Sequence, residues 1–270
     1  MHYIDVGDGP VVVMVHGNPT WSYYFRRLIT RLSANHRVIA LDHIGCGLSD
    51  KPQNSGYYTL RQHTDNLEAL LHSLMVVDYS LVVHDWGGAI GMGLATRYPE
   101  RVAKIVVLNT AAFRSRRLPW RIRICRWPFL GPFLVRACNG FAWPATFMAV
   151  RRPLEKDVAA AYLAPYDSWR NRVAIAAFVR DIPMTPAHPS YAELVRTEQG
   201  LPLLRQQSIP MLILWGGKDF CFNTPIYQEW LRRFPEAEHC FFADAGHYVL
   251  EDKSEEAGQR IADFLLLAPR

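Results

Sequence analysis

Leu81-Val82-Val83-His84-Asp85-Trp86-Gly87-Gly88 runs from a β-prone apolar segment into an acidic residue, a tryptophan and two glycines. Helix-compatible residues from Ala89 to Tyr98 follow. This is the pattern of a buried strand, a sharp turn and a helix, with residue 85 lifted out where the strand ends. There it stands beside a helix N-terminus, whose free N–H groups can hold an anion. Two roles are open to a carboxylate in that place: N-cap of the helix, or nucleophile in alkyl or acyl transfer. The flanking residues favour the nucleophile.

Upstream, Val11-Val12-Val13-Met14-Val15 is a continuous apolar run, as expected of a parallel strand covered on both faces. It ends in His16-Gly17-Asn18-Pro19, with a helix expected after Thr20. Arg37 to Leu41 reads as the next strand and is followed by the glycine-rich loop from Asp42 to Pro52. Leu60, Leu67, Leu70, Leu71 and Leu74 have helical spacing, and Lys104 to Leu108 is a further strand. From Thr110 to about Gln207 the alternation stops. Short apolar helical pieces there are broken by Pro119, Pro128, Pro132, Pro144 and Pro153. Alternation resumes with Met211 to Trp215, a helix near Tyr227 to Phe234, a strand at His239 to Phe242 and a closing helix from Ser254. The expected architecture is α/β: a mostly parallel sheet with helices on both faces, formed by 1–110 and 208–270, with 111–207 inserted as a helical cap. His2 to Val6 alternates as an edge strand would.

The composition is that of a folded globular protein, with half of the residues hydrophobic and 20% charged. The five cysteines are scattered and form no CxxC pair, and Met1-His2-Tyr3-Ile4-Asp5 does not look like a signal peptide. Free thiols in a reducing cytoplasm are therefore expected. The net charge of +5 is unevenly spread, since Phe113 to Arg152 holds nine arginines and no acidic residue. Such a stretch suits anionic lipid, an acidic partner or an acidic substrate. No nucleic-acid-binding motif accompanies it. No spacing suggests a metal site, and the loop around Gly45 and Gly47 is neither a P-loop nor a dinucleotide fingerprint, so no cofactor is implied.

Asp85, Asp219 and His247 fall at strand ends in the order nucleophile, acid, base. Asp219 follows Trp215-Gly216-Gly217-Lys218, and His247 ends Ala243-Asp244-Ala245-Gly246-His247. Each alone reads more simply as a cap, a turn carboxylate or a loop histidine; the joint order favours a triad. A carboxylate nucleophile near its ordinary pKa needs no base to attack, so the histidine would serve a later step. His16 is expected to hold its loop by hydrogen bonding. His84 should point to the opposite side of the strand from Asp85 and be structural.

HGNPTW at 16–21, DHIGCGLSDKP at 42–52, VVHDWGG at 82–88, WGGKDF at 215–220 and AGHYVLED at 245–252 strongly resemble haloalkane dehalogenases of the α/β-hydrolase superfamily. The match covers nearly the whole core. The resemblance implies an aspartate that forms an alkyl-enzyme ester, a histidine that activates water, and two side-chain N–H donors for the leaving group, matched by Asn18 and Trp86. Backbone N–H groups of the same two residues would form the oxyanion hole. Asn109 stands where one subgroup carries its acid, which leaves Asp219 in that role. The cap segments NTAAF at 109–113, LAPYDSW at 163–169 and DIPM at 181–184 running on to HPSY at 188–191 look like the β-lactone decarboxylases of bacterial long-chain olefin biosynthesis. Those enzymes convert cis-3,4-dialkyl-β-lactones to cis-alkenes and CO2. Relatives of this type have more chain before the MHYxD segment, so the sheet is expected to be one edge strand short.

The resemblance thus implies a hydrophobic small-molecule substrate and partners among olefin-pathway enzymes. Phe129 to Val150, dense in Phe, Leu, Met, Trp and Ala, suits a lining for alkyl chains or plain cap packing. The six arginines from Arg114 to Arg126, interleaved with Trp120, suit peripheral membrane contact or a solvated face. Haloalkane dehalogenation is the first alternative, sharing every residue named. An epoxide hydrolase would rely on cap tyrosines, and a receptor built on the fold would not need the triad.

Overall fold

The computed structural model describes residues 1–267. Its elements run β1 (Tyr3–Val6), β2 (Val11–Val15), α1 (Arg26–Leu32), β3 (Arg37–Leu41), α2 (Leu60–Ser73), β4 (Tyr79–Asp85), α3 (Trp86–Arg97) and β5 (Val102–Thr110). After β5 come α4 (Trp120–Cys125), α5 (Leu130–Arg136), α6 (Ala142–Met148), α7 (Lys156–Leu163), α8 (Val173–Arg180) and α9 (Tyr191–Gln206). The chain closes with β6 (Met211–Gly216), α10 (Thr224–Arg233), β7 (Glu238–Phe242), α11 (Val249–Asp252) and α12 (Ser254–Leu266). The strands form one sheet in the order β1-β3-β2-β4-β5-β6-β7. Only β1 is antiparallel, pairing Tyr3 with Leu41 at the edge.

The apolar runs make sense once both faces are covered. Along β2, Val13 and Val15 pack into the layer holding α2, α3, α9 and α10. Val12 and Met14, one residue out of phase, pack into the layer of α1, α11 and α12. Leu81 and Val83 against Val82, and Ile105 and Val107 against Val106 and Leu108, divide in the same way. A period of two with both sets buried is what a continuous Val/Ile/Leu run encodes.

Helices α4 to α8 lie beyond the C-terminal end of β5 and have a small core of their own, including Cys125, Val135, Tyr166, Ile175 and Val179. Within 111–207, helix α9 makes contacts of another kind. It packs along α3, where a Cβ on Gly200 would meet Thr96 Cβ at 2.6 Å and one on Gly93 would meet Thr197 Oγ1 at 3.4 Å. Arg97 on α3 also pairs with Glu193 on α9 at 3.0 Å. Small residues at this crossing let two helices approach closely, so we propose that the core resumes near residue 191, ahead of 208. The buried face of α9, with Leu194, Thr197, Leu201 and Leu204, keeps a helical spacing, but such a period does not say which layer it packs against.

Candidate active site

The strand β4 delivers Asp85 into a tight elbow with φ +53, a backbone conformation rarely held by a non-glycine residue and typical of strained functional positions. The elbow closes only because its flanks are bare. A Cβ on Gly87 would lie 1.9 Å from Val15 O, and one on Gly88 1.8 Å from Thr110 Oγ1. Thr110 Oγ1 donates to the Asp85 carbonyl, pinning the turn from β5. Although Asp85 occupies the N-cap position of α3, its side chain makes no capping bond there. The carboxylate is aimed elsewhere.

Asp85 Oδ1 accepts the backbone N–H of Asn18 at 2.6 Å. The backbone N–H of Trp86 also faces the carboxylate. The other oxygen, Oδ2, lies 3.6 Å from His247 Nε2. His247 Nδ1 donates to Asp219 Oδ2 at 2.7 Å, which leaves Nε2 as the nitrogen facing Asp85. The expected residues Asp85, Asp219, His247, Asn18 and Trp86 thus come together, though they span more than two hundred positions of sequence. The side chains of Asn18 and Trp86 both line the same cavity as Asp85 and His247. Asn18 Nδ2 gives one proton to Ile175 O of α8 at 3.2 Å, which ties the oxyanion loop to the cap.

His16 keeps the loop in place as expected. Burial pushes its pKa down to about 3, so the ring is neutral. Its Nδ1–H donates to Gly17 O at 2.7 Å and its Nε2 accepts from His43 N at 3.0 Å, which fixes the tautomer.

Two residues take parts that local pattern did not show. Asn109, at the end of β5, donates through Nδ2 to Asp219 Oδ2 at 3.0 Å and accepts Gly216 N at 2.8 Å. With Cys221 N donating to Asp219 Oδ1 at 2.6 Å, three donors fix the acid. In sequence Asn109 stands out as the first residue of the NTAAF segment and as a non-carboxylate, and neither points to Asp219. His84 is structural in the expected sense, stacked on Tyr24 with ring centroids 4.4 Å apart. It also donates from Nε2 to His247 O at 3.0 Å, so it anchors the loop that carries His247.

Electrostatics corrects one expectation. Burial pushes the Asp85 carboxyl above its ordinary range, opposed by the His247 charge and the N–H groups of Trp86 and Asn18. A carboxylate at its unperturbed value is therefore not what the site holds. For His247 burial works to lower the pKa, but the charge and hydrogen bond of Asp219 and the charge of Asp85 outweigh it and raise it. Both groups of the pair are thus shifted upward, Asp85 by its burial and His247 by the charges of the two carboxylates.

The residues open into a cavity of 430 Å³ between sheet and cap. Its walls include Phe113, Ile124, Leu134, Met148, Val179 and Ile226, with Asp85 and His247 among the few polar groups. Such a wall recognises an apolar molecule and a polar reacting centre. The cap tyrosines Tyr162, Tyr166 and Tyr191 do not line it. Tyr162 bonds Glu251, and Tyr166 donates to Thr20 O.

The model of the alpha/beta hydrolase fold family matches residues 10–254. The chain belongs to the α/β-hydrolase fold family. Within it, the chain is 48% identical over 98% of its length to a cis-3-alkyl-4-alkyloxetan-2-one decarboxylase of Shewanella oneidensis, covering 85% of that protein. It is 42% identical to a protein of the same name from Xanthomonas campestris pv. campestris, over 98% of this chain and 92% of the other. A haloalkane dehalogenase of Mycolicibacterium paratuberculosis is 32% identical over 97% of this chain and 86% of its own. Among solved structures, haloalkane dehalogenase DatA from Agrobacterium tumefaciens C58 superposes with a TM-score of 0.86 at 27% identity, covering 98% of this chain and 91% of that one. The chain is an α/β-hydrolase-fold enzyme with a small-molecule substrate. Among the described residues, no helix is long and apolar enough to cross a membrane.

Proposed function

We propose that the enzyme decarboxylates cis-3,4-dialkyl-β-lactones to cis-alkenes and CO2. The observation that carries this is a buried aspartate with one oxygen held by Asn18 N–H and the other facing His247, lining a 430 Å³ apolar cavity. The relatives at 48% and 42% identity are both named for an alkyl-substituted oxetanone, which is a β-lactone.

In this reading Asp85 is the nucleophile. Oδ2 attacks the ring carbon that bears oxygen from the face opposite that oxygen. The C–O bond breaks and its electron pair leaves as a carboxylate on the neighbouring carbon. The result is an alkyl ester of Asp85. The carbon–carboxylate bond then breaks, its pair becomes the C=C bond, and the ester C–O pair returns to Asp85 as CO2 departs. Inversion in the first step followed by anti departure in the second keeps the alkyl groups cis. No water is consumed and no net proton moves. The free proton of Asn18 Nδ2 and the Trp86 indole N–H are the donors for the leaving carboxylate. His247, raised in pKa and oriented by Asp219, stabilises Asp85 as a carboxylate each time it is released.

Haloalkane dehalogenation remains the second reading, because the same attack with halide as leaving group gives the same ester. It needs two things more: a neutral His247 and a water at the ester. The same proposal places the enzyme in the cytoplasm and expects partners among the enzymes that make the lactone.

The test is incubation in 18O-labelled water with a cis-dialkyl-β-lactone and, separately, a bromoalkane, with Asp85→Ala as control. Alkene and CO2, with no label built into the Asp85 carboxylate and with turnover lost in Asp85→Ala, is the expected outcome. Bromide and labelled alcohol with the lactone untouched would replace the reading with the second one.

A further inference from the structure

The surface of the cap has a composition that neither the fold nor the reaction explains. All four exposed tryptophans among the described residues, Trp120, Trp127, Trp143 and Trp169, lie between β5 and α9. The turn from α4 to α5 leaves Trp127, Pro128, Phe129 and Leu130 exposed in succession, with Phe133 half-exposed on the next turn of helix. Four consecutive exposed residues make a protruding tip. Phe129, at that tip, is 92% exposed and held at φ +63. In water such a residue carries both backbone strain and a hydrated aromatic face with nothing in return.

The charge around this tip is of one sign. Arg116, Arg117, Arg121 and Arg123 are exposed, and none forms an ion pair among the described residues. No acidic residue occurs between Arg114 and Leu154 to balance them. Arg114 alone of this group is neutralised, by Glu198.

The patch is also where the cavity meets solvent. Of the residues lining the cavity, the exposed ones are Arg117, Trp120 and Arg121, all in or just before α4. Pro144 and Met148 of α6 line it too, beside the exposed Trp143 and Phe147. The mouth is thus rimmed by arginine and aromatic side chains.

We infer that this rim docks the enzyme on an anionic phospholipid bilayer, with the mouth of the cavity turned to the lipid. Aromatic rings are suited to the headgroup level and arginines to the phosphates there. A bilayer accommodates a protruding tip without a matching socket, whereas a protein partner would have to supply a concave, acidic one. A lipophilic substrate would pass from acyl chains into the apolar cavity without crossing water, which removes the cost of hydrating its alkyl groups. The inference shares with the proposed function only the lipophilic nature of the substrate, and vesicle binding is read without turnover.

The experiment is co-sedimentation of the full chain with vesicles of phosphatidylcholine alone and of phosphatidylcholine mixed with phosphatidylglycerol. Two double variants are compared, Phe129→Ser with Phe133→Ser, and Arg116→Gln with Arg123→Gln; none of these residues lines the cavity. Wild type should bind the anionic vesicles in a salt-sensitive manner. The arginine pair should weaken that binding by about 25-fold, roughly fivefold per charge near an anionic surface. The phenylalanine pair should weaken it by about tenfold or more through lost apolar burial. Both variants should keep the melting temperature and the turnover of a short, water-soluble lactone. Absence of wild-type binding to anionic vesicles, equal binding by the variants, or capture of an acidic protein through this face without vesicle binding would each overturn the inference. Loss of turnover on every lactone with vesicle binding intact would count against the proposed function alone.

Discussion

Gly17→Ala places the heaviest demand on the geometry of the site. A Cβ at residue 17 would lie 2.1 Å from Asp85 Oδ1 and 2.3 Å from Asp85 Cβ, where ordinary van der Waals contact begins at 3.4 Å. Something must therefore move by roughly 1 Å, a displacement that costs on the order of 10²-fold in rate when it misplaces a reacting group. The loop is poorly placed to yield. Gly17 O accepts from His16 Nδ1 and Thr20 Oγ1, and Gly17 N donates to Thr20 Oγ1. Asp85 is the softer partner, and rotation of its carboxylate breaks the 2.6 Å bond from Asn18 N. A charge-assisted hydrogen bond of this kind contributes about 1.5–3 kcal/mol, or roughly 10–150-fold in rate. Both routes converge on a fall of about 10²-fold in kcat/KM. The crowding should also lower stability by about 1–3 kcal/mol. Steady-state turnover of a cis-β-lactone, with a thermal melt on the same samples, reads both quantities. Gly56→Ala, where the added carbon meets only Asn54 Oδ1 at 3.2 Å, serves as the control. Turnover of Gly17→Ala within threefold of wild type, a bound set by the ~10-fold lower limit above, would refute the proposed role of the Asn18–Asp85 contact.

Asp219→Asn removes the main charge that raises the His247 pKa, so the His247 titration followed by NMR should shift downward; an unmoved midpoint would mean Asp85 alone sets it. Because lactone opening consumes no water while ester hydrolysis does, the same variant should slow bromoalkane hydrolysis at least about tenfold more than alkene formation; equal losses would point to a shared base-dependent step. Asp181, buried between Leu60 N and Ser190 Oγ, has its pKa raised by burial to about 6. A carboxyl raised in the folded state binds its proton more tightly than in the unfolded chain, so stability should fall as pH rises from ~4 to ~6, by up to ~3 kcal/mol. Asp181→Asn should flatten that slope in denaturant titrations across the range; a slope that stays unchanged would assign it to other groups. Lys104 is buried and donates to Phe264 O and Leu265 O at the end of α12. Lys104→Met should leave these carbonyls unpaired and cost about 1–3 kcal/mol, seen as a lower melting temperature, with turnover unchanged.

Much of this protein was legible one short window at a time. A strand buried on both faces writes a continuous apolar run, and β2, β4, β5 and β6 could be found because that signal is local. The elbow at 85, the Gly-rich flanks and the order of Asp85, Asp219 and His247 are also short-range patterns, and the motifs around them gave the family. Asn18 and Trp86 came through those motifs, not through any physical period. What the tertiary structure alone decided is of another kind. The Asn109–Asp219 contact and the His84–His247 bond join residues 110 and 163 positions apart, and no periodicity records such a meeting. Helix α9 buries Leu194, Leu201 and Leu204 at helical spacing, but only its close approach to α3 through Gly200 and Thr197 decides which layer that face meets. The upward shift of Asp85 follows from enclosure by cap and sheet together, a desolvation that no neighbour in sequence supplies. Residue identity specified which groups can react; only the closed fold set the dielectric and the distances at which they do so.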